Sequence, residues 1–155
     1  MGTRADFYVG RGKGAEWLGS IAWDGYPTGI AGKKHGTANG DVTTSPILTA
    51  TSEEVFRAEV RAELASREDG TTPDRGWPWP WNTSHTTDYA YAFDDGKVHA
   101  SCFGHPWFDP TKPRNDDEQE EDSEEAKGPR PEFPDMTERQ NVTFGKRSGV
   151  MVFGF

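Results

Sequence analysis

The chain has 155 residues and a formal net charge of −9, with 32% hydrophobic residues, 18 glycines and 11 prolines. Its length fits one ordinary domain, it lacks the basic stripe of a nucleic-acid-binding protein, and no apolar run approaches the roughly 18 residues of a membrane span. We therefore expect a single domain over residues 1–155 that contacts neither nucleic acid directly nor a membrane. Because apolar residues are scarce, aromatic side chains must supply much of the core.

The first strands of the chain predict a β-hairpin. Apolar stretches at 5–9 and 16–24 flank a turn rich in glycine, a pattern typical of two antiparallel strands. In the second stretch a period of two places Trp17, Ile21 and Trp23 on one face.

Two features interrupt this second strand. Gly19 lies in its interior, which indicates a bulge or a close approach of another backbone. Asp24-Gly25 ends it with a chain reversal, and we expect burial of the Trp23 indole to hold that turn.

A helix is predicted over residues 53–67. Thr51 and Glu54 have the spacing of a capping box, and Gly70 follows the last turn. The buried face, with Val55 beside it, consists of apolar residues spaced four apart: Phe56, Val60 and Leu64.

A second hairpin follows the helix. Tyr89, Tyr91 and Phe93 alternate with alanines, Asp-Gly occupies the turn at 94–97, and a return strand runs over 98–103. Asp-Gly between alternating apolar residues is a strong hairpin signal.

Two further short strands are expected near 141–144 and 150–153. The fold class is therefore predicted as α+β, an antiparallel sheet of about six strands with one main helix packed on it.

Residues 106–134 are expected to form a flexible, acidic and proline-rich insert. Eight acids and no base lie between Asp116 and Glu125, and without them the formal charge of the chain changes from −9 to −1. The acids are either a solvated loop or an imitation of the charge of a nucleic acid. The candidate binding residues of the run are Asp116, Asp117, Glu118, Glu120 and Glu121.

Three tryptophans alternate with prolines and are the other binding candidates: Trp77, Trp79 and Trp81. Alternate side chains on a proline-stiffened backbone point in different directions, so they cannot all enter one small core. Either one or two pack inside, or a pair is exposed at a binding surface, where tryptophan is enriched.

A catalytic or metal site is harder to find in this sequence. His99, Cys102 and His105 are three residues apart, but on a strand this spacing places His99 and Cys102 on opposite faces. With a single cysteine, neither a structural zinc site nor an internal disulfide is expected. We therefore predict no metal, no cofactor and no catalytic residue.

Residues 1–7 and the Trp-Asp-Gly-Tyr-Pro turn at 23–27, together with the tyrosine-rich hairpin at 88–103, resemble a group of small uncharacterised proteins encoded by bacteriophages and prophages. The resemblance implies an accessory gene product that acts on a host component, and hence a location in the bacterial host cytoplasm. Since residues 1–6 lack the apolar core of a secretory signal, the sequence itself also favours a cytoplasmic location.

A strand that begins at a threonine and leads into a hairpin also resembles the opening of proteasome-type N-terminal nucleophile hydrolases. That similarity would make Thr3 a nucleophile, which requires a free threonine amine. Here Gly2 precedes Thr3.

Three functions remain open at this point. The first, which we favour, is a non-catalytic protein that binds and inhibits a bacterial host protein, with a defence system as one class of target in the manner of an anti-CRISPR protein. The second is a small hydrolase or nucleotide-handling enzyme. The third is a structural component of a virion.

Overall fold

The computed structural model describes residues 2–31, 40–112 and 131–136 of the chain. They form an α+β fold with one four-stranded sheet in the order β2-β1-β3-β4 and one main helix. The strands are β1 (Ala5–Val9), β2 (Glu16–Ile21), β3 (Tyr89–Asp94) and β4 (Lys97–Cys102), and the helices are α1 (Pro27–Ile30) and α2 (Glu53–Ala65).

The sheet is mixed, so the prediction of an antiparallel sheet is only partly correct. Each hairpin is antiparallel, but β1 and β3 lie side by side and parallel, with Ala5 opposite Tyr89. Parallel neighbours need a long crossover connection, and residues 22–88, which include α2, provide it. The two strands expected at 141–144 and 150–153 lie outside the described residues.

The first hairpin contains the bulge that Gly19 indicated. Phe7 pairs with Gly19 but Tyr8 pairs with Trp17, so Leu18 is an extra residue. An extra residue inverts the alternation of side chains. Trp17 and Ile21 therefore face opposite sides of the sheet, contrary to the prediction that they share a face.

Helix α2 lies on one face of the sheet as expected, with Phe56, Val60 and Leu64 buried. Its cap is one residue later than predicted, because the Ser52 hydroxyl accepts the Val55 N–H at 3.2 Å. Val55 itself is 46% exposed and does not belong to the buried face. In the part of the chain that the structure describes, neither helix has the length and apolar character needed to cross a membrane.

Polar contacts to the backbone hold the turn after β2. The Trp23 indole, which we expected to hold this turn by its burial, is only half-buried. The Asp69 carboxylate accepts the N–H groups of Ala22 and Trp23 at 2.9 and 3.0 Å. Arg67 pairs with Asp69 at 2.7 Å and donates to the Trp23 carbonyl at 2.5 Å. Burial acts to raise the pKa of Asp69, but these donors lower it overall.

The second hairpin has the predicted geometry. Asp95 and Gly96 connect β3 to β4 with φ angles of 56° and 79°. Positive φ at both central residues matches the twist of the two strands.

The sheet is covered on both faces. On the helix side, α2 packs on a core that includes Phe7, Tyr91 and Phe93. On the other side lies a smaller core of Tyr8, Trp17, Trp77, Ala90, Ala92, Phe133 and Met136, with Trp79, Trp81 and Trp107 packed against it. We call this second side the tryptophan face.

The two ends of the expected flexible insert are part of the fold. Phe108 forms a two-way backbone bridge with Ala100 at 2.8 Å, Pro110 is fully buried, and Phe133 is buried on the tryptophan face. The apolar side chains of these ends therefore enter the core, while the flexibility of the insert stays a prediction. Residues 113–130 lie outside the described part of the chain.

The helix interface gives a direct stability test. We expect Phe56→Ala to lower the free energy of unfolding by about 3–5 kcal/mol, since the ring is fully buried and stacks against Phe93 at 5.8 Å. Val55→Ala on the exposed side of α2 should change it by less than about 0.5 kcal/mol. Chemical denaturation measures both, and equal losses would show that α2 docks through a different face.

Candidate protein-interaction surface

Residues 77–81 cross the tryptophan face, and each of their three indole N–H groups has a partner inside the molecule. Trp77 donates to the Trp81 carbonyl at 2.6 Å. Trp79 donates to Asp6 Oδ1 at 2.7 Å, and Trp81 donates to the Thr87 hydroxyl at 2.8 Å. The segment is thus fixed by hydrogen bonds as well as by its prolines.

Trp77 is an interior residue. Its side chain is 6% exposed and meets the Trp17 ring edge-on at 5.3 Å. Of the three tryptophans that the sequence offered for binding, Trp77 therefore exposes the smallest fraction of its surface.

Trp79 and Trp81 are half-buried and stack on each other, with ring centroids 5.6 Å apart and planes inclined by 17°. The Arg4 guanidinium lies 5.9 Å from the first ring centroid and 5.3 Å from the second. A guanidinium at this distance from tryptophan rings is attracted by their quadrupoles.

Arg4 is held in place by Asp88. Both its backbone N–H and its guanidinium donate to the Asp88 carboxylate, at 2.9 and 3.1 Å. The arginine side chain remains 36% exposed. Its cation is therefore oriented by a carboxylate and two rings, but it still reaches solvent.

Phe103 follows the end of β4 and is 51% exposed. Its φ angle is +51°, a left-handed conformation that costs a bulky residue roughly 1–2 kcal/mol. The strained position is fixed because the Phe103 N–H donates to the Asp88 carbonyl at 3.2 Å.

Asp88 thus joins the Phe103 backbone to the arginine that lies beside the stacked indoles. We call these five residues the Arg–aromatic patch: Arg4, Trp79, Trp81, Asp88 and Phe103. The patch lies at the end of the sheet where β1 and β3 begin and β4 ends.

Beneath the patch is a fully buried carboxylate, Asp6. The hydroxyls of Ser20 and Ser84 each donate to it at 2.6 Å, and Trp79 donates at 2.7 Å. The Thr87 hydroxyl also hydrogen bonds to it. Burial raises the pKa of Asp6, while these hydrogen bonds act in the opposite direction.

The sequence also raised His99 and Cys102 as candidates for a metal or catalytic site. His99 contacts Trp107 on the tryptophan face, whereas Cys102 lies opposite Tyr89, which packs on the helix side, so the predicted separation of His99 and Cys102 is confirmed. Burial lowers the pKa of His99, and the nearby charges of Arg11 and Lys97 act in the same direction.

Within residues 2–31, 40–112 and 131–136, no group of three or more His, Cys, Asp or Glu side chains is arranged to hold a metal ion. The acid-run candidates, Asp116, Asp117, Glu118, Glu120 and Glu121, lie outside these ranges, so their role in binding stays a prediction.

Sequence reasoning missed four members of this region: Arg4, Asp6, Asp88 and Phe103. Arg4 precedes the predicted first strand and Asp6 lies within it, and neither residue type by itself indicates a binding site. Phe103 completed an apolar return strand and was expected to be one of its members. The Gly104 that follows it was the available signal, since glycine after a strand marks a turn.

A cavity of 490 Å³ lies near the helix side of the sheet, and Tyr26, Asp41, Tyr89, Phe108 and Lys112 are among the residues that line it. The Asp41 carboxylate accepts the N–H and hydroxyl of Thr43 at 2.9 and 2.6 Å, and these bonds lower its pKa. An ionised carboxylate bound to its own turn is a poor candidate for proton transfer.

Comparisons with protein-family models, with curated proteins and with solved structures give no match to this chain.

The Asp6 network makes a stability prediction. Asp6→Ala should lower the free energy of unfolding by about 3 kcal/mol or more, because it leaves three hydroxyls and an indole N–H without their buried acceptor. Asp6→Asn should cost less, since it keeps one acceptor oxygen and the Ser84 hydroxyl can rotate to accept from the new amide.

The same pair of proteins tests the raised pKa. The folded-state pKa of Asp6 lies above its ordinary value of 3.8. Between pH 3.8 and the folded-state pKa, Asp6 therefore carries a proton in the native state, whereas in the unfolded chain it has lost that proton. Stability from this group therefore falls as pH rises through the window. The unmodified chain should gain stability relative to Asp6→Asn as the pH falls from 7 towards 4. A difference that is independent of pH in denaturation curves would contradict this.

Proposed function

We propose that the chain is an accessory protein of a bacteriophage or prophage that binds and inhibits a bacterial host protein without catalysis, in the cytoplasm of the host. A component of a defence system is the class of target we favour. The observation that carries the proposal is the Arg–aromatic patch, together with the resemblance of residues 1–7, 23–27 and 88–103 to phage-encoded proteins.

The composition of the patch supports a protein partner. Tryptophan and arginine are the residue types most enriched among those that dominate binding energy at protein interfaces. In the patch two tryptophans and an arginine lie together and remain in reach of solvent. Desolvating such a group supplies much of the energy of a typical interface.

The rigidity of the patch supports the same conclusion. Trp79 is tied to Asp6, Trp81 to Thr87 and Arg4 to Asp88. Side chains that are already ordered lose little conformational entropy when a partner binds, so more of the contact energy appears as affinity.

Phe103 adds a further argument. An exposed ring in a left-handed backbone conformation gains little from packing within its own chain. Strained residues of this kind concentrate at functional sites, where the position of the side chain has a use. We infer that the Phe103 ring is held at the surface for contact with a partner protein.

The experiment compares Phe103→Gly with Val55→Ala. Both remove apolar atoms from exposed side chains, which are 51% and 46% exposed respectively, but Val55 lies on helix α2. Phe103→Gly should leave stability within about 1 kcal/mol, because glycine adopts positive φ without strain. A tagged unmodified chain is first used to isolate its target from bacterial lysate, and the affinity of each variant for the purified target is then measured.

We expect Phe103→Gly to weaken binding at least about fivefold, equivalent to roughly 1 kcal/mol, and Val55→Ala to leave it unchanged. Equal affinities would show that the patch is not the contact. If no host protein is retained and the purified chain turns over a nucleotide or a peptide, the hydrolase alternative replaces this proposal.

The acid run should contribute to the rate of association. Neutralising Asp116, Asp117, Glu118, Glu120 and Glu121 to the corresponding amides should slow association with a basic target, and the effect should shrink at high salt. Binding kinetics at two ionic strengths measure this. Faster dissociation at an unchanged association rate would instead place these carboxylates in direct contact with the target.

A further inference from the structure

Residues 131–136, Pro-Glu-Phe-Pro-Asp-Met, dock on the tryptophan face as a short peptide. They contain neither helix nor strand, and Pro131, Phe133, Pro134 and Met136 are buried while Glu132 and Asp135 are exposed. Eighteen residues of sequence separate them from Lys112, the preceding described residue. The segment thus presents apolar side chains to the sheet without being part of it.

Phe133 fills an aromatic socket formed by Tyr8, His85 and Trp107. Its ring centroid lies 5.9 Å from that of Tyr8, 5.1 Å from His85 and 5.6 Å from Trp107. The Met136 N–H donates to the Asn82 carbonyl at 2.7 Å, which joins the end of the segment to the fold.

The socket is shaped by contacts that do not involve its occupant. The Tyr8 hydroxyl hydrogen bonds to the Ser84 hydroxyl at 2.7 Å, and Ser84 donates to Asp6. The Trp107 ring meets His99 edge-on at 6.5 Å. A site whose walls are fixed by other partners keeps its shape when the occupant leaves.

The occupant has the spacing of a recognition peptide. Pro131 and Pro134 are three residues apart, and proline-rich segments with this spacing dock in grooves lined by aromatic side chains in several classes of binding domain. Prolines lower the conformational entropy that an extended peptide loses on docking.

We propose that the aromatic socket is a recognition site for extended peptides of Pro-x-Phe-Pro chemistry, and that residues 131–136 are the ligand that this chain itself supplies. A partner protein carrying such a peptide binds by displacing them. This site is separate from the Arg–aromatic patch, and its test does not depend on the proposed function.

Because residues 131–136 belong to the same chain as the socket, they compete with an added peptide at a high effective concentration. A tethered ligand competes at an effective concentration on the order of millimolar, so the unmodified chain binds an added peptide weakly. Phe133 supplies the ring contacts of the tethered ligand. A substitution of Phe133 therefore weakens the binding of residues 131–136 and leaves the socket accessible to a free peptide.

The experiment measures binding of a fluorescent peptide, Pro-Glu-Phe-Pro-Asp-Met, to full-length Phe133→Ala by fluorescence anisotropy. Full-length Glu132→Ala, altered at an exposed position of the same segment, is the matched control. We expect Phe133→Ala to bind the peptide at least about tenfold more tightly than the control does. A peptide with alanine in place of phenylalanine should bind neither protein.

Two results would overturn the proposal. The first is a cooperatively folded Phe133→Ala that gains no affinity for the peptide. The second comes from hydrogen exchange of the unmodified chain and decides the matter if Phe133→Ala fails to fold. If the segment undocks by itself, the Met136 amide should exchange at least about a hundredfold faster than the amides of β1 and β3. Equal protection would mean that the segment opens only when the whole fold does, and this result would overturn the proposal.

Discussion

The buried carboxylate of Asp6 is the constraint on which the tryptophan face depends. It lies on β1 and accepts hydrogen bonds from Ser20 on β2, from Ser84 and from Trp79, so it joins pieces of chain that are up to 78 residues apart. A buried polar group without partners would cost about 1–3 kcal/mol. Because each donor here is also buried or half-buried, the network favours the one arrangement that satisfies all of them at once.

This arrangement explains how a chain with 32% hydrophobic residues covers both faces of a sheet. Helix α2 covers one face with aliphatic and aromatic side chains, in the usual manner of an α+β fold. The other face is covered by irregular backbone, which cannot satisfy its polar groups as a helix does. Indole rings suit that position because each buries a large apolar area and carries one N–H that can reach a polar partner.

Sequence patterns predicted the elements whose information is local. The 3.6-residue period of α2 and the Asp95-Gly96 turn are each contained within a few residues, and both were predicted correctly. The parallel pairing of β1 with β3 was not, because it joins residues about 84 apart and leaves no periodic signal. The bulge at Leu18 shows the same limit. Gly19 marked its place, but the extra residue moved Trp17 to the opposite face, and a count by twos cannot detect that shift.

The candidate surface was predicted in part for a related reason. A Trp-Pro repeat indicates that its rings point in different directions. Which ring enters the core depends on where the folded chain places hydrogen-bond acceptors for the indole N–H groups, and the repeat itself does not contain that information. Trp77 is directed inwards beside Trp17, while Trp79 reaches Asp6 from a half-buried position and so contributes to stability and to the surface together. A substitution of Trp79 would therefore disturb the buried carboxylate as well as any contact with a partner. Phe103 lacks this double role, because its ring is exposed and its backbone conformation suits glycine. It is the residue of the patch at which binding can be separated from folding.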